Sequence, residues 1–192
     1  LNTPVLLLLA AAATPLVQVL LTEKWLPCVG YLRLLCVLGL LFPLNTLNLN
    51  VLVAKGRSDL FLRLEMIKRG LTFCNVVITW RWGITAIIIG QIVLGLISYL
   101  LNTYYSGKLL GYSARDQARD MGGYFLSAVL MGAAVHALGY VEFSSMTLGL
   151  IVQVVFGLVA YLLLCGLFRL PALAESWRLV APRIPVLARF VA

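Results

Sequence analysis

Charged side chains are scarce in this sequence. They make up 11% of its 192 residues, while 62% are hydrophobic, and a soluble domain carries about 25% charged residues. So few polar side chains cannot cover a water-soluble globule, which excludes an ordinary soluble domain. The apolar residues also come in blocks of about 20, the length of a helix that crosses the hydrocarbon core of a bilayer. We therefore predict a polytopic transmembrane helix bundle of the all-α class.

Groups of metal-binding or redox residues are also lacking. The four cysteines form no CxxC pair, and the single histidine, His136, has no cysteine or histidine close to it in the sequence. We therefore expect no metal and no cofactor, and we interpret the thiols as small buried groups. His136 could relay protons in a membrane. A hydrogen-bonded structural histidine is the simpler interpretation, because no carboxylate lies within one or two helical turns of it.

Catalytic motifs are absent as well. The sequence contains no GxSxG, HExxH or GxxxxGK[ST] pattern, each of which indicates a particular chemistry. A membrane polymerase or acyltransferase would need catalytic residues in large outer loops, and the outer loops predicted here are short. We therefore expect no enzyme. No acidic residue lies deep inside a predicted span either, where ion-coupled transporters usually carry an ionisable group.

The apolar blocks predict about six spans. Pro15 should kink the first block and Pro43 should break the second, while Gly83 marks a tight turn between the third and the fourth. Apolar residues at 60, 61, 64 and 67 predict an amphipathic segment on the membrane surface. The bundle should occupy residues 1–168, with spans near 4–21, 31–54, 66–82, 84–105, 121–140 and 146–168.

Basic residues are distributed unevenly, and the net charge is +8. With six spans, twelve of the fifteen basic residues fall on one side, and the positive-inside rule makes that side cytoplasmic. Anionic lipid headgroups account for the charge, so we expect no nucleic-acid partner. The twelve include the cations of a basic amphipathic tail at 169–192, which prolines interrupt. They are Lys55, Arg57, Arg63, Lys68, Arg69, Lys108, Arg115, Arg119, Arg169, Arg178, Arg183 and Arg189.

Four amides inside the predicted spans, Asn45, Asn48, Gln91 and Gln153, are candidates for lining a polar substrate cavity. Asn45 and Asn48 are three residues apart and share a helix face. Amides in hydrocarbon need hydrogen-bond partners. The partners could be substrate hydroxyls or neighbouring helices, where each contact contributes about 0.6 kcal/mol. The sequence leaves both interpretations open.

Three stretches carry a family resemblance: residues 20–70, 78–91 and 102–120. The first contains the turn TEKW at 22–25 and the turn GRSD at 56–59, and the third contains Tyr112, Ser113 and Gln117. These stretches resemble the polysaccharide-transporter, or Wzx-like, flippases of the MOP superfamily, in which a glycine stands where this chain has Thr22. The cytoplasmic motif that the resemblance implies comprises Gly56, Arg57, Ser58, Asp59, Tyr112 and Gln117.

The resemblance implies an architecture and a function. Such proteins look like two six-helix lobes around a central cavity, followed by two further helices. They move an undecaprenyl-pyrophosphate-linked oligosaccharide between the leaflets of the bacterial inner membrane. This chain, which starts at Leu1 rather than at a methionine, would be the C-terminal part of such a MOP/MATE-like transporter. Its expected partners are then membrane lipid, the lipid-linked oligosaccharide and the missing N-terminal lobe.

Two alternatives stay open beside the flippase. One is an ion-coupled drug antiporter of the same superfamily, against which the absence of acidic residues in the predicted spans argues. The other is a non-transport membrane scaffold in a polysaccharide assembly complex, which would need no substrate cavity. Of the two, only the antiporter requires an ionisable group at membrane depth.

Overall fold

A computed structural model describes residues 2–110, 114–141, 143 and 145–168. This part of the chain is almost entirely helical and contains no strand. Two 3₁₀ turns, Glu23–Trp25 and Trp80–Trp82, connect helices at the ends of the molecule. The helices are α1 (Asn2–Ala11), α2 (Ala13–Leu21), α3 (Cys28–Ala54), α4 (Ser58–Thr79), α5 (Ile84–Leu110), α6 (Ala114–Leu138) and α7 (Met146–Leu167).

Four of these helices, α3, α5, α6 and α7, are long and apolar enough to cross a membrane. Helices α1 and α2 form a bent pair, with 72° between them, that would make a fifth span if the two cross together. The prediction of an all-α helix bundle is therefore confirmed, and four of its helices are candidates for membrane spans. The number of six spans stays a prediction, because α4 does not meet the same test of length and composition.

The two prolines behave differently from one another. The first apolar block bends at Ala12, three residues before Pro15, because proline has no N–H to donate to the carbonyl four residues earlier. The predicted kink is confirmed. Helix α3 continues without a break through Pro43, so the predicted break there is wrong. Helix α3 packs along α5 more extensively than any other pair of helices packs, and such neighbours can support a helix around a proline.

Helix α4 differs most from the sequence prediction. It is one continuous helix of 22 residues, not a surface segment followed by a short span. The apolar stripe does exist, and its member Leu64 is buried against Leu49 and Leu52 of α3. Likewise, α5 and α6 extend beyond the spans predicted near 84–105 and 121–140, since α5 continues to Leu110 and α6 begins at Ala114. The predicted turn at Gly83 is confirmed, and this glycine has φ +85°, which favours glycine.

The helices pack side by side, so that the end of one helix lies beside the start of another. Helix α1 lies against α3 and α6, α7 lies against α6 and α2, and α4 lies on α5 and, less extensively, on α3. The C-terminal ends of α3 and α5 meet the N-terminal end of α6, as the bond between Asn48 and Gln117 demonstrates. We call this the basic end, because the described cations nearest to it are Lys55, Arg57, Lys108, Arg115 and Arg119. The opposite end carries Lys24, Arg33 and Arg81.

Candidate functional site

The Asn48 network comprises Asn48, Thr103, Ser106 and Gln117, and it joins α3, α5 and α6 near the basic end. The Asn48 amide nitrogen lies 3.0 Å from Thr103 Oγ1 and 3.2 Å from Gln117 Oε1. The Asn48 carbonyl oxygen accepts hydrogen bonds of 2.8 Å from Ser106 Oγ and from Gln117 Nε2. Because the two amides exchange hydrogen bonds reciprocally, their polar atoms are satisfied within the protein.

Burial explains what this network does. Asn48 is 4% exposed and Gln117 is 8% exposed, and a buried amide without partners is costly in an apolar environment. The network therefore holds the helices together. Of the two interpretations of Asn48, this is the one in which neighbouring helices, not a substrate, supply its partners. The structure also corrects the placement of Gln117, which was predicted in a cytoplasmic loop motif and instead lies in the first turn of α6. Its predicted neighbour Tyr112 lies outside the described residues.

Asn45 is bound to α5 one turn further from the basic end. Its amide nitrogen donates to the carbonyl oxygens of Leu41 at 3.0 Å and of Gly95 at 3.2 Å. Its carbonyl oxygen accepts from Asn102 Nδ2 at 2.8 Å. Although Asn45 and Asn48 share a helix face as predicted, they belong to separate hydrogen-bonded groups.

The α3–α4–α5 groove is a cavity of about 750 Å³ between these three helices. This volume lies in the range of typical ligand sites, which is about 300–1,000 Å³. Asn45 and Gln91, two of the predicted candidates, both line it, whereas Asn48 does not. Its polar lining residues are Asn45, Thr46, Asn50, Glu65, Lys68, Arg69, Thr72, Gln91 and Ser98.

Charged side chains of α4 form one wall of this groove. Lys68 Nζ lies 3.0 Å from Glu65 Oε1, and Arg69 Nε lies 3.9 Å from Glu65 Oε2. The side chains of Lys68 and Glu65 are only 16% and 28% exposed, while that of Arg69 is 83% exposed. The sequence did not indicate the three as site residues, because Lys68 and Arg69 were interpreted only as cytoplasmic charges and the segment before them as a surface helix. The apolar stripe, continued past residue 67, was the signal of a longer helix.

The turn at 56–59 leads into α4 and lies outside the groove. Gly56 has φ +70°, a left-handed conformation that favours glycine. Arg57 Nε donates to Asp59 Oδ1 at 3.2 Å, and this hydrogen bond lowers the pKa of the Asp59 carboxyl below its ordinary value. Ser58 is the first residue of α4, and no side chain caps the start of this helix. The four residues therefore shape a turn.

Thr22 has an unusual backbone conformation in the turn between α2 and α3. Its φ is 77° and its ψ is 169°, a region that is populated almost only by glycine and that strains other residues. In the family that the sequence resembles, a glycine stands at this position. The turn therefore has the backbone shape that the motif glycine would favour, although this chain carries threonine there.

The Gln153 cavity lies at the opposite end of the bundle, between α2, α3, α6 and α7. Its volume is about 550 Å³. Gln153 is 4% exposed, and its side-chain oxygen finds no hydrogen-bond partner. His136 lines the same cavity with Nε2 at 3.5 Å from the Tyr140 hydroxyl. Its exposed position and this long contact do not make it the firmly bound structural histidine that the sequence suggested.

The structure thus distributes the four predicted amides over three places. Asn45 and Gln91 line the α3–α4–α5 groove. Asn48 lies in the Asn48 network, beside a separate cavity of about 310 Å³, and Gln153 lines a cavity at the other end. Among the described residues, no group of three or more His, Cys, Asp or Glu side chains could hold a metal ion. No known family model, curated protein or solved structure matches this chain.

Proposed function

We propose that this protein takes part in moving a lipid-linked oligosaccharide across a membrane, as a flippase, and that the α3–α4–α5 groove is its contact with the polar part of the substrate. The groove carries the proposal, because it combines amides and hydroxyls with a cationic wall inside an apolar bundle. Amides and hydroxyls suit sugar hydroxyls. Lys68 and Arg69 suit a phosphate group, since charged hydrogen bonds to phosphate are stronger than neutral ones.

One amide of the groove, Gln91, supports the same proposal. Gln91 lines the groove and makes no hydrogen bond within the part of the chain that the structure describes. An unpaired amide in an apolar bundle is stabilised by any ligand that forms a hydrogen bond with it. Lys68 is held by Glu65, so a phosphate has to compete with a carboxylate for this ammonium group. Such competition favours a reversible contact over a permanent one.

The resemblance to Wzx-like flippases supplies the proposed cargo and setting. On that basis the cargo is an undecaprenyl-pyrophosphate-linked oligosaccharide of O-antigen, capsule or exopolysaccharide synthesis. The protein lies in a bacterial inner membrane, with its basic end in the cytoplasm. It works with the helices of an N-terminal lobe, and this chain supplies the C-terminal portion. The glycine-like backbone of Thr22 supports the alignment at this turn.

Complementation of a strain that lacks the gene tests this function. The complete gene is reintroduced with Gln91→Leu combined with Lys68→Met, and two quantities are measured: surface polysaccharide and lipid-linked oligosaccharide retained on the inner leaflet. We expect polysaccharide to fall at least fivefold and the lipid-linked precursor to accumulate. Lys108→Met, which removes a cation of the basic end outside the groove, is the matched control and should export normally.

Protein abundance in the membrane is compared by immunoblot, so that a folding defect is not mistaken for a transport defect. Normal export by the groove variant at normal abundance would overturn the assignment of the groove. Normal export in the strain without the gene would overturn the flippase itself and favour the scaffold. In that case, loss of the assembly complex on pull-down should accompany loss of the protein.

One observation favours a second candidate, an ion-coupled antiporter. Glu65 lies in the eighth position of α4 and lines the groove, whereas the sequence suggested that no carboxylate entered a span. A carboxylate on a cavity wall is the type of group that couples transport to protons or sodium. Glu65→Gln separates the two candidates: an antiporter should lose ion-driven uptake in vesicles, and an uncoupled flippase should not.

A further inference from the structure

The Gln153 cavity has features of a binding site that the proposed function does not use. Gln153 is deeply buried, and its carbonyl oxygen has no partner although it lines an open cavity. Buried polar groups in proteins are nearly always hydrogen-bonded, and leaving one unpaired costs about 1–3 kcal/mol. An acceptor in this state selects a ligand that brings a hydrogen-bond donor, such as a hydroxyl group.

The backbone of Gly139 brings Gln153 close to the end of α6. A Cβ atom at residue 139 would lie 3.3 Å from Gln153 Nε2 and 3.0 Å from the carbonyl oxygen of His136. A side chain there would therefore crowd the amide and fill part of the cavity. The absence of one keeps the cavity wall open beside the amide.

A cation stands at the same cavity. The guanidinium of Arg33 donates to Thr14 Oγ1 at 3.2 Å, and among the described residues no carboxylate forms an ion pair with it. A guanidinium has five donors, so most of them are left for a ligand. Planar acid groups such as carboxylate and phosphate match its geometry.

We infer that the Gln153 cavity binds a polyhydroxylated acid, with the acid group at Arg33 and a hydroxyl donating to the oxygen of Gln153. Tyr140 and Gln18 also line the cavity, and their hydroxyl and amide groups can bind further hydroxyls. The volume of about 550 Å³ admits one or two sugar units. The site lies at the end of the bundle opposite the cations of the basic end, and it does not depend on the flippase proposal.

Calorimetric titration of the full chain in lipid nanodiscs tests this inference, with D-glucuronate as the probe for a sugar acid and sn-glycerol 1-phosphate as the probe for a lipid headgroup. D-glucose has hydroxyls without an acid, and acetate has an acid without hydroxyls. We expect at least one of the two acidic polyols to bind ten times more tightly than both D-glucose and acetate. The tighter of the two identifies the source of the ligand.

Two variants assign the binding to the cavity. Gln153→Met removes the acceptor at nearly constant size, and Arg33→Gln removes the cation and keeps a donor for Thr14. Each should weaken binding at least tenfold. Gln153→Met should also raise the thermal unfolding temperature of the ligand-free protein, because it removes a buried oxygen that has no partner in the protein. Gln91→Leu in the groove is the matched control and should bind like the unaltered protein.

Three results would overturn the inference. Equal affinity for acetate would make the site one for simple anions, and equal affinity for D-glucose would remove the role of Arg33. Absence of binding by both acidic polyols, in a protein with a normal unfolding transition, would make Gln153 a strained packing residue. Since none of these titrations measures transport, their failure is distinct from failure of the flippase proposal.

Discussion

Helices α3 and α5 contribute amides and hydroxyls to two neighbouring regions that behave in opposite ways. In the Asn48 network, the amides of Asn48 and Gln117 satisfy one another, and the hydroxyls of Thr103 and Ser106 complete the group. In the α3–α4–α5 groove, Gln91 lies at the surface of a cavity without a protein partner among the described residues. Amide side chains therefore hold helices together in the Asn48 network, whereas in the groove the amide of Gln91 is available to bind a ligand.

A polar residue in an apolar helix therefore does not indicate a binding site by itself. Whether it can bind a ligand depends on whether the surrounding helices supply its hydrogen-bond partners. The third helix makes the difference here. Helix α6 approaches Asn48 with a matching amide, whereas α4 approaches the groove with charged side chains that pair with one another. Variants on either side of this contrast should therefore change different properties.

The largest expected effect on stability is in the Asn48 network. Asn48→Leu leaves Gln117, Ser106 and Thr103 without their shared partner, and we expect the free energy of unfolding to fall by about 2–3 kcal/mol, the cost of orphaning buried polar groups. Unfolding in mixed micelles measures this. Asn48→Leu together with Gln117→Leu should recover part of the loss. A double variant as unstable as the sum of the singles would mean that the amides do not act as a pair.

The second effect concerns the contact between α4 and α5, two of the helices that form the α3–α4–α5 groove. A Cβ atom at Gly90 of α5 would collide with the Asn75 side chain of α4, which donates to the Ile87 carbonyl oxygen at 3.2 Å. Gly90→Ala should separate α4 from α5 and lower stability by about 1–2 kcal/mol, as overpacking does. Gly70→Ala faces open space and should be neutral or slightly stabilising. Equal melting temperatures for the two variants would contradict the close approach.

A third, smaller effect is expected at the boundary between the two regions. Asn45→Leu removes the acceptor of Asn102, a fully buried residue whose own side-chain oxygen already has no partner. We expect a loss of about 1–1.5 kcal/mol, because Asn102 loses its acceptor and Asn45 no longer donates to the carbonyl oxygens of Leu41 and Gly95, which lie inside helices. Comparison with Asn48→Leu in the same unfolding assay sharpens the contrast. Because the two amides share no partner, the losses at Asn45 and Asn48 should add in the double variant, and a clearly non-additive loss would contradict their separation.

The smallest effect is expected for the charged wall. Glu65→Gln removes the ion pair with Lys68, whose side chain is 16% exposed. We expect stability to change by no more than about 0.5 kcal/mol, because partly exposed ion pairs contribute little. The change should shrink further in high salt. A destabilisation above about 2 kcal/mol would indicate a closed, structural ion pair and would remove the argument that this wall is available to a substrate.

Much of the fold could be predicted from the sequence, because hydropathy and helix breakers act locally. The bend near Pro15, the turn at Gly83 and the apolar lengths of α5 and α7 all follow from residues close to one another in the chain. The continuity of α3 through Pro43 does not, since it depends on the packing of α3 along α5.

The site was predictable only in part. Residue types pointed to Asn45 and Gln91, which do line one groove. They could not reveal that Asn48 would be satisfied by a residue 69 positions away. Charge also misled the interpretation of Glu65 and Lys68, because hydropathy alone cannot recognise a helix whose charged side chains form ion pairs along its own turns.

The charges along α4 have a consequence for how the protein is made. The membrane-insertion machinery inserts segments in chain order, and only sufficiently apolar segments insert efficiently. Helix α4 carries Arg63, Glu65, Lys68 and Arg69, so it should insert inefficiently by itself. Helix α5 follows after only four residues, Trp80 to Gly83, and is strongly apolar. We therefore expect α4 and α5 to enter the bilayer together as a hairpin. A ribosome stalled before α5 emerges should leave α4 outside the bilayer.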